Sequence, residues 1–297
     1  MNIVLIGSNG FLSNSIGEFC NDQKIEIDVW GLEKPNNFQS NKYFQIDLLN
    51  QEIDYSEISS ADIIIYSAGA GIQSNQNDSF ESVYYLNSFI PIKLYKELIK
   101  RKYKGYLITF GSYFEFGEND KNLFLTETDI INATNMVPND YCISKRLLTK
   151  FIISSHVELK YWHFILPTIY GENENPNRLI PYIVNSIKRE TEIKLTSGEQ
   201  IRQYLYVDDI PPIIIKAFKN HLNSGIYNLA GTENISVKDL VENIFKYYKS
   251  PQNKSQFGSA VRNDTKMKIL KLDNSKLSLA LNAKPSTKII NVLPKYK

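Results

Sequence analysis

Residues 2 to 20, NIVLIGSNGFLSNSIGEFC, join a continuous apolar run to a turn with two glycines and then to a stretch of helical periodicity. A strand that is apolar at every position, rather than at alternate ones, is buried on both faces, which is the situation in a parallel sheet covered by helices. IEIDVWG follows as a second strand and closes a βαβ unit. Further strands are expected at YFQIDL, ADIIIYSAG, GYLITFGS and YWHFILP, separated by helical segments such as SVYYLNSFIPIKLYKELIKRK. Regular alternation of this kind predicts an α/β fold with a Rossmann-type doubly wound parallel sheet.

Beyond Pro167 the alternation ends. NRLIPYIVNSIKRE and SVKDLVENIFKYYK read as helices, and EIKLT and IRQYLYV as short strands. The expected division is a dinucleotide-binding domain at 1–166, to which segments near 204–230 return, and a smaller C-terminal α/β substrate domain built from 167–203 and 231–297. The returning segments are VDDIPPIIIKAF and GIYNLA. No internal repeat or low-complexity run interrupts this pattern.

Charge excludes several classes of partner. The net charge of +2 arises from 34 basic and 32 acidic side chains without long blocks, so neither a nucleic-acid surface nor a polybasic membrane patch is expected. Two cysteines and three histidines give no disulfide framework and no metal-ligand spacing. A reduced, cytoplasmic protein without a metal is the reading, since the N-terminal apolar run is too short for a signal peptide and none approaches the roughly 18 residues of a membrane span.

The glycine turn carries the first chemistry. Gly7 and Gly10 stand where strand passes to helix, the place at which backbone approaches a pyrophosphate and helix N–H groups face it. Gly7, Asn9, Gly10, Phe11 and Leu12 are therefore candidates for cofactor binding, with Ser13 in the position of a third glycine. The second strand ends in Gly31 where an acid often binds the adenosine ribose, which leaves room for a 2′-phosphate and brings Lys34 near it. Glu33 argues the other way if it turns inward, and Gly31 can also simply turn the chain. NADPH is the favoured cofactor, with NADH possible.

Ser112 follows a strand of the parallel sheet, at the carboxyl edge where open α/β sheets place ligands. Tyr141 and Lys145 lie four residues apart on the next helix, on one face of it. A serine that holds a substrate oxygen, a tyrosine that gives or takes its proton and an ammonium that favours the phenolate make a proton-transfer unit.

With those residues placed, the chain resembles the extended short-chain dehydrogenase/reductases that act on nucleotide sugars, the sugar-nucleotide epimerase/dehydratase family. The resemblance covers nearly the whole chain. It rests on GSNGFLS, Asp47 in QIDLL, YSAGAG, Asn87 in YYLNSF, GSYFEFG, YCISK, PTIYGENENPNRLIP, IRQYLYVDDI and VRNDTKMKILKLDNSKL. It implies that Asp47 and Leu48 border the adenine, that Ala68, Gly69, Asn87 and Pro167 line the cofactor path, and that Tyr141 and Lys145 also touch the cofactor. It further implies substrate contacts from Ser112, Tyr113, Arg178, Arg202 and Arg262, the last two suited to a diphosphate. A surface ion pair is the structural alternative for either arginine. Ile165, Thr168 and Ser13 depart from the family's usual arginine, asparagine and glycine.

Three reactions are open to such an enzyme. Dehydration needs an acidic pair after the active-site hydroxyl, whereas Tyr113, Phe114 and Glu115 follow Ser112 here. The segments GSYFEFG and GENENPNRLIP resemble those of bacterial reductases of nucleotide-linked 4-keto-6-deoxyhexoses, enzymes of surface polysaccharide and O-antigen synthesis. Reduction at C4 is the leading expectation and 4-epimerisation with NAD the alternative; a dinucleotide-sensing regulator would tend to lack the tyrosine and lysine. Relatives also suggest a homodimer through SVYYLNSFIPIKLYKELI and SKRLLTKFIISS.

Overall fold

The computed structural model describes residues 1–71, 78–155, 159–251, 255–260 and 266–296. Six strands in the first part, β1 (Asn2–Ile6), β2 (Glu26–Gly31), β3 (Tyr43–Gln45), β4 (Ile63–Tyr66), β5 (Tyr106–Ser112) and β6 (Lys160–Leu166), form a sheet. In the rest of the chain lie β7 (Thr168–Tyr170), β8 (Ile193–Leu195), β9 (Ile201–Tyr206), β10 (Gly225–Asn228), β11 (Glu233–Ser236), β12 (Ser255–Phe257) and β13 (Ile269–Leu270). The first six and β10 make a seven-stranded sheet in the order β10-β6-β5-β4-β1-β2-β3, parallel throughout. The chain therefore starts in the middle of the sheet, builds outward to β3, and then crosses back to the other side of β1, as a doubly wound fold requires.

Alternation along β1 explains the two cores. Val4 and Ile6 pack with Trp30, Ile64, Leu94, Leu98, Leu148 and Ile152 on one face of the sheet. Ile3 and Leu5 pack with Ile16, Val29, Ile65, Ile108 and Ile214 on the other. Both faces need apolar residues because helices cover both, which accounts for the unbroken apolar run read in the sequence.

The helices are α1 (Phe11–Asp22), α2 (Tyr55–Ile58), α3 (Phe80–Tyr84), α4 (Ile90–Lys100), α5 (Glu127–Asn132), α6 (Asp140–Ser154), α7 (Leu179–Lys188), α8 (Ile210–Lys219), α9 (Val237–Tyr247), α10 (Ser275–Leu281) and α11 (Ile289–Val292). The segment expected as one helix from Ser82 onward is divided: α3 and α4 are joined by a π-helical turn, Tyr85–Phe89. Such turns insert one residue into a helix and are frequent at functional sites. Asn87 sits in the middle of it.

The smaller sheet has β9 at its centre, antiparallel to β11 and parallel to β13 and β7. Its core combines Tyr170, Tyr204 and Tyr206 with Ile183 and Val184 of α7 and Leu240, Val241 and Ile244 of α9. Strand β10 pairs with β6 in the large sheet, and Ile213 and Ile214 of α8 join the core beside α1. Strand β9, by contrast, belongs wholly to the smaller sheet.

Candidate active site

The glycine turn connects β1 to α1. Gly7 has φ +108°, open to glycine at little cost, and a Cβ there would lie 2.7 Å from the Ala68 backbone nitrogen. Gly10 is the N-cap of α1 and no side chain caps the helix there. An N-terminus left without a capping side chain, reached through a turn too tight for a Cβ, fits a dinucleotide pyrophosphate. Ser13 is fully buried, and its hydroxyl lies 2.8 Å from that of Ser67 after β4. A hydrogen bond thus replaces the close packing that a third glycine allows.

Asn9 reaches across to the loop after β2. Its amide donates to the Lys34 carbonyl at 3.1 Å, and its oxygen accepts the Asn36 N–H at 3.1 Å. Lys34 is held beside the glycine turn by its backbone while its side chain stays exposed. Gly31 requires a different explanation from the one its sequence position suggests. A Cβ on Gly31 would meet Ser8 Oγ at 2.2 Å and Ser8 Cβ at 2.6 Å. The missing acid has a packing cause, since Ser8 takes the space in which a side chain would stand.

Asp47 and Leu48 lie in the turn after β3. Both carboxylate oxygens of Asp47 serve that turn, accepting from the Leu49 N–H and the Asn50 amide. Ala68 and Gly69 follow β4, and a Cβ on Gly69 would meet Asn87 Oδ1 at 2.8 Å. Asn87 is fully buried; it accepts from the Ala70 N–H at 3.1 Å and donates to the Ala70 carbonyl and to Ser144 Oγ. Its amide ties the loop after β4 to α6. Pro167 is buried between β6 and β7.

Helix α6 begins at an Asn139 N-cap whose side chain accepts the Cys142 N–H at 3.1 Å. This start puts Tyr141 in the first turn and Lys145 one turn on. The Tyr141 phenol faces the Ser112 side chain; burial raises its pKa, against the pull of Ser112 and of Arg178. Lys145 Nζ donates to the Phe110 carbonyl at 3.0 Å and lies 5.9 Å from the Tyr141 ring centre. Burial brings the Lys145 pKa down to about 8. Without a dinucleotide beside it, the Tyr141 phenol is governed by burial, and Lys145 is directed at a backbone carbonyl.

Ser112 closes β5 and caps a 3₁₀ turn, Tyr113–Phe116. Glu115 folds back so that its Oε1 accepts the Ser112 N–H at 3.1 Å. Tyr113 is fully buried, with its hydroxyl 2.7 Å from Thr168 Oγ1. Ile165 is core; its partner across the ladder is Gly111, where a Cβ would meet Ile165 Cδ1 at 2.5 Å. Both departures from the family pattern thus have local partners.

The smaller sheet and the loop after β7 bring in arginines. Arg178, the N-cap of α7, pairs through Nε with Glu174 Oε2 at 3.1 Å. Buried Glu174 also accepts from Tyr296 Oη at 2.7 Å. Arg202 is buried; its Nη1 donates to the Ile201 carbonyl at 3.0 Å, and the guanidinium lies 5.9 Å from the Phe114 ring centre. Burial raises the Tyr113 pKa and both arginine charges oppose it; of the two, Arg178 also acts on Tyr141. Arg262 lies outside the described residues. Glu174, Thr149 and His163 carry no motif, although a lone histidine inside the apolar strand YWHFIL is itself a signal. Among the described residues no group of acidic, histidine or cysteine side chains could hold a metal, and no helix is long and apolar enough to cross a membrane.

The chain is 25% identical over 183 residues to a CDP-abequose synthase of Salmonella muenchen, a match covering 61% of this chain and 58% of that protein. The chain therefore spans under two thirds of that relative. It is 25% identical over 256 residues to the CDP-abequose synthase of Salmonella typhimurium, covering 80% of this chain and 78% of that one. Its fold is similar to UDP-glucuronic acid 4-epimerase from Bacillus cereus, solved with UDP-glucuronic acid and NAD. The TM-score is 0.81 at 17% identity, over 100% of this chain and 98% of that one. The family model described as the NAD dependent epimerase/dehydratase family matches residues 3–230, and the chain belongs to that family.

Proposed function

We propose that this protein reduces the 4-keto group of a nucleotide-diphosphate 4-keto-6-deoxyhexose, with NADPH as the reductant and Tyr141 as the proton donor, in the synthesis of surface polysaccharide sugars. The observation that carries the reading is the inward fold of Glu115. Its carboxylate caps the Ser112 N–H and is 0% exposed, so the one acid next to Ser112 does not face the cleft. Elimination of water from a sugar needs acid and base groups beside the carbons concerned, and Ser112, Tyr141 and Lys145 supply only the unit for a carbonyl and alcohol. The two relatives named for CDP-abequose support a deoxysugar nucleotide as the substrate class.

In this reading Ser112 holds the C4 oxygen, Tyr141 donates its proton to that oxygen, and Lys145 stabilises the phenolate that results. Gly7, Gly10, Phe11 and Leu12 would hold the pyrophosphate at the start of α1, and Lys34 the 2′-phosphate. A bound reduced dinucleotide supplies the hydride to C4. Arg178 and Arg202 serve the substrate's diphosphate, with Arg262 as a third candidate. The division into a dinucleotide part at 1–166 with 204–230, and a sugar-nucleotide part at 167–203 and 231–297, is the corresponding assignment of roles. Exposed Phe80, Tyr85 and Phe89, with Ile143 and Ile153 of α6, support a homodimer through these helices. Cys20 and Cys142 are buried and form no disulfide, which suits a cytoplasmic protein.

The test is oxidation of NADPH by the purified protein with a panel of 4-keto-6-deoxyhexose nucleotides, expected to be stoichiometric with the sugar reduced. Tightly held NAD, with interconversion of C4 epimers and no net cofactor consumption, would replace the reductase by the alternative 4-epimerase. That second reading is favoured by the family's description and by the retention of the same Ser112, Tyr141 and Lys145 unit.

A further inference from the structure

Behind the proton-transfer unit lies a chain of buried polar groups that the proposed reaction does not use. Glu115 and His163 are 0% exposed, Thr149 1% and Thr109 3%. Glu115 Oε1 accepts the Ser112 N–H at 3.1 Å, and Oε2 accepts the Thr149 hydroxyl at 2.7 Å. Thr149 Oγ1 is 2.9 Å from His163 Nε2, and His163 Nδ1 is 2.7 Å from Thr109 Oγ1. Four elements contribute: β5, the 3₁₀ turn after it, α6 and β6.

Buried polar groups in such numbers are costly unless all are satisfied. With Glu115 ionised they are: Thr149 donates to it, His163 donates to Thr149 from Nε2, and Thr109 donates to Nδ1. With Glu115 protonated the three side-chain bonds would reverse, which leaves the Thr109 O–H without an acceptor in this chain of groups, so the arrangement favours the ionised carboxylate. Burial pushes the Glu115 pKa up to about 7, against the Thr149 and Ser112 hydrogen bonds and the charges of Lys145 and Arg146. The same burial drives His163 down to about 3.

We propose that Glu115 is a positioning residue for Ser112 and Lys145: it fixes the serine through its backbone N–H and, by its negative charge, keeps the Lys145 amine protonated. This rests on the reading of Ser112, Tyr141 and Lys145 as the proton-transfer unit. The groups facing Glu115 are Lys145 and Arg146 of α6, whose charges favour its ionised form, the Ser112 N–H and the hydroxyl of Thr149, with neutral His163 of β6 beyond Thr149 and Tyr141 nearby. Lys145 Nζ donates to the Phe110 carbonyl at 3.0 Å, and Glu115 Oε1 lies 2.6 Å from where a Cβ on the next residue, Gly111, would stand; burial lowers the Lys145 pKa and the carboxylate at that place opposes it. An ionised Glu115 thus holds a proton on Lys145 to higher pH.

The test reads Lys145 directly and needs no substrate. Trace acetylation of the folded protein with acetic anhydride, from about pH 6 to about pH 10, followed by mass spectrometry of the Lys145 peptide, gives the midpoint at which its amine loses the proton. Glu115→Gln keeps the shape and removes the charge, and should move that midpoint to lower pH by roughly one pH unit. Glu115→Asp keeps the charge and should leave it near the parent's. Thr149→Val removes the hydroxyl that favours the ionised carboxylate and should move it in the same direction by less, which keeps the test open if the Gln variant does not fold. Where turnover has been found, the alkaline limb of kcat should follow the same order, with KM for the sugar nucleotide little changed. An unmoved midpoint in the Gln variant, or in the Val variant if Gln does not fold, would overturn the proposal whatever the substrate is. Absence of turnover with normal midpoints would instead count against the reductase reading.

Discussion

Glu115 and Glu174 are both buried carboxylates behind the cleft, one in the turn after β5 of the large sheet and one in the loop after β7 of the smaller part. Glu115 is held by uncharged donors, the Ser112 N–H and the Thr149 hydroxyl. Glu174 is held by the Arg178 guanidinium at 3.1 Å and the Tyr296 hydroxyl. Burial raises both carboxyls, Glu115 to about 7 and Glu174 against the opposing pull of Arg178; what differs is the partner, since the guanidinium at Glu174 does not give up its proton and so is the fixed charge there. The large sheet thus offers a centre whose protons can move, and the smaller part offers a fixed charge. The proposed function assigns turnover to the first and grip on the sugar nucleotide to the second.

Tyr141→Phe is the strongest attack on that contrast. Removing the hydroxyl while keeping the ring should lower kcat by about 10² or more, as loss of a general acid does, and leave dinucleotide affinity and sugar-nucleotide KM nearly unchanged. A Phe variant that turned over at the parent rate would place the proton donor elsewhere.

On the other side, Arg178→Ala removes a charged hydrogen-bonding partner worth about 1.5 to 3 kcal/mol, so KM should rise roughly tenfold to a hundredfold. The value of kcat should fall much less. Should steady-state kinetics show kcat falling alone, the arginine would belong with the proton-moving centre and the contrast would fail.

Within the large sheet, the packing of Gly31 on Ser8 sharpens the picture. A side chain in Gly31→Asp must displace Ser8 and with it the glycine turn, a misfit that typically costs about 1 to 3 kcal/mol. Affinity for NADPH and NADH should both drop, by roughly tenfold, while sugar-nucleotide binding measured without cofactor is spared. A clean exchange of preference from NADPH to NADH would mean that Ser8 yields and that the glycine does mark a phosphate site.

The smallest effect belongs to Lys34→Ala. The lysine is exposed, and an exposed ion pair contributes at most about 1 kcal/mol. NADPH affinity should therefore fall up to about fivefold, with NADH affinity constant, as read by quenching of protein fluorescence. An equal loss for both would remove Lys34 from 2′-phosphate recognition.

Legibility in the sequence followed the distance over which an interaction acts. Strand β1 could be read because four consecutive apolar residues, Ile3 to Ile6, report burial on two faces by themselves, and Tyr141 and Lys145 because one helical turn links them. The chain behind them could not, since Thr149 lies 34 residues from Glu115 and Thr109 lies 54 from His163. Tyr296 is 122 residues beyond Glu174. Gly31 was legible as a glycine but not in its cause, because Ser8 reaches it only when β1 and β2 pair. Asn87 was legible as a cofactor residue by resemblance, yet its hydrogen bonds run to Ala70 and Ser144 and depend on a π turn that periodicity does not announce.

That π turn makes the region between α3 and α4 sensitive to length rather than to composition. Each residue of a helix turns the chain by about 100°, so deleting one position between Tyr85 and Phe89 would allow a regular helix to form through the gap. The segment on one side of the deletion would then rotate by that angle against the other. Either Asn87 would swing off Ala70 and Ser144, or α4 would lose the seating of Leu94 and Leu98 in the core. A substitution on the exposed face of this turn is a local event; a frame-preserving deletion of one codon there is a choice between the cofactor path and the fold.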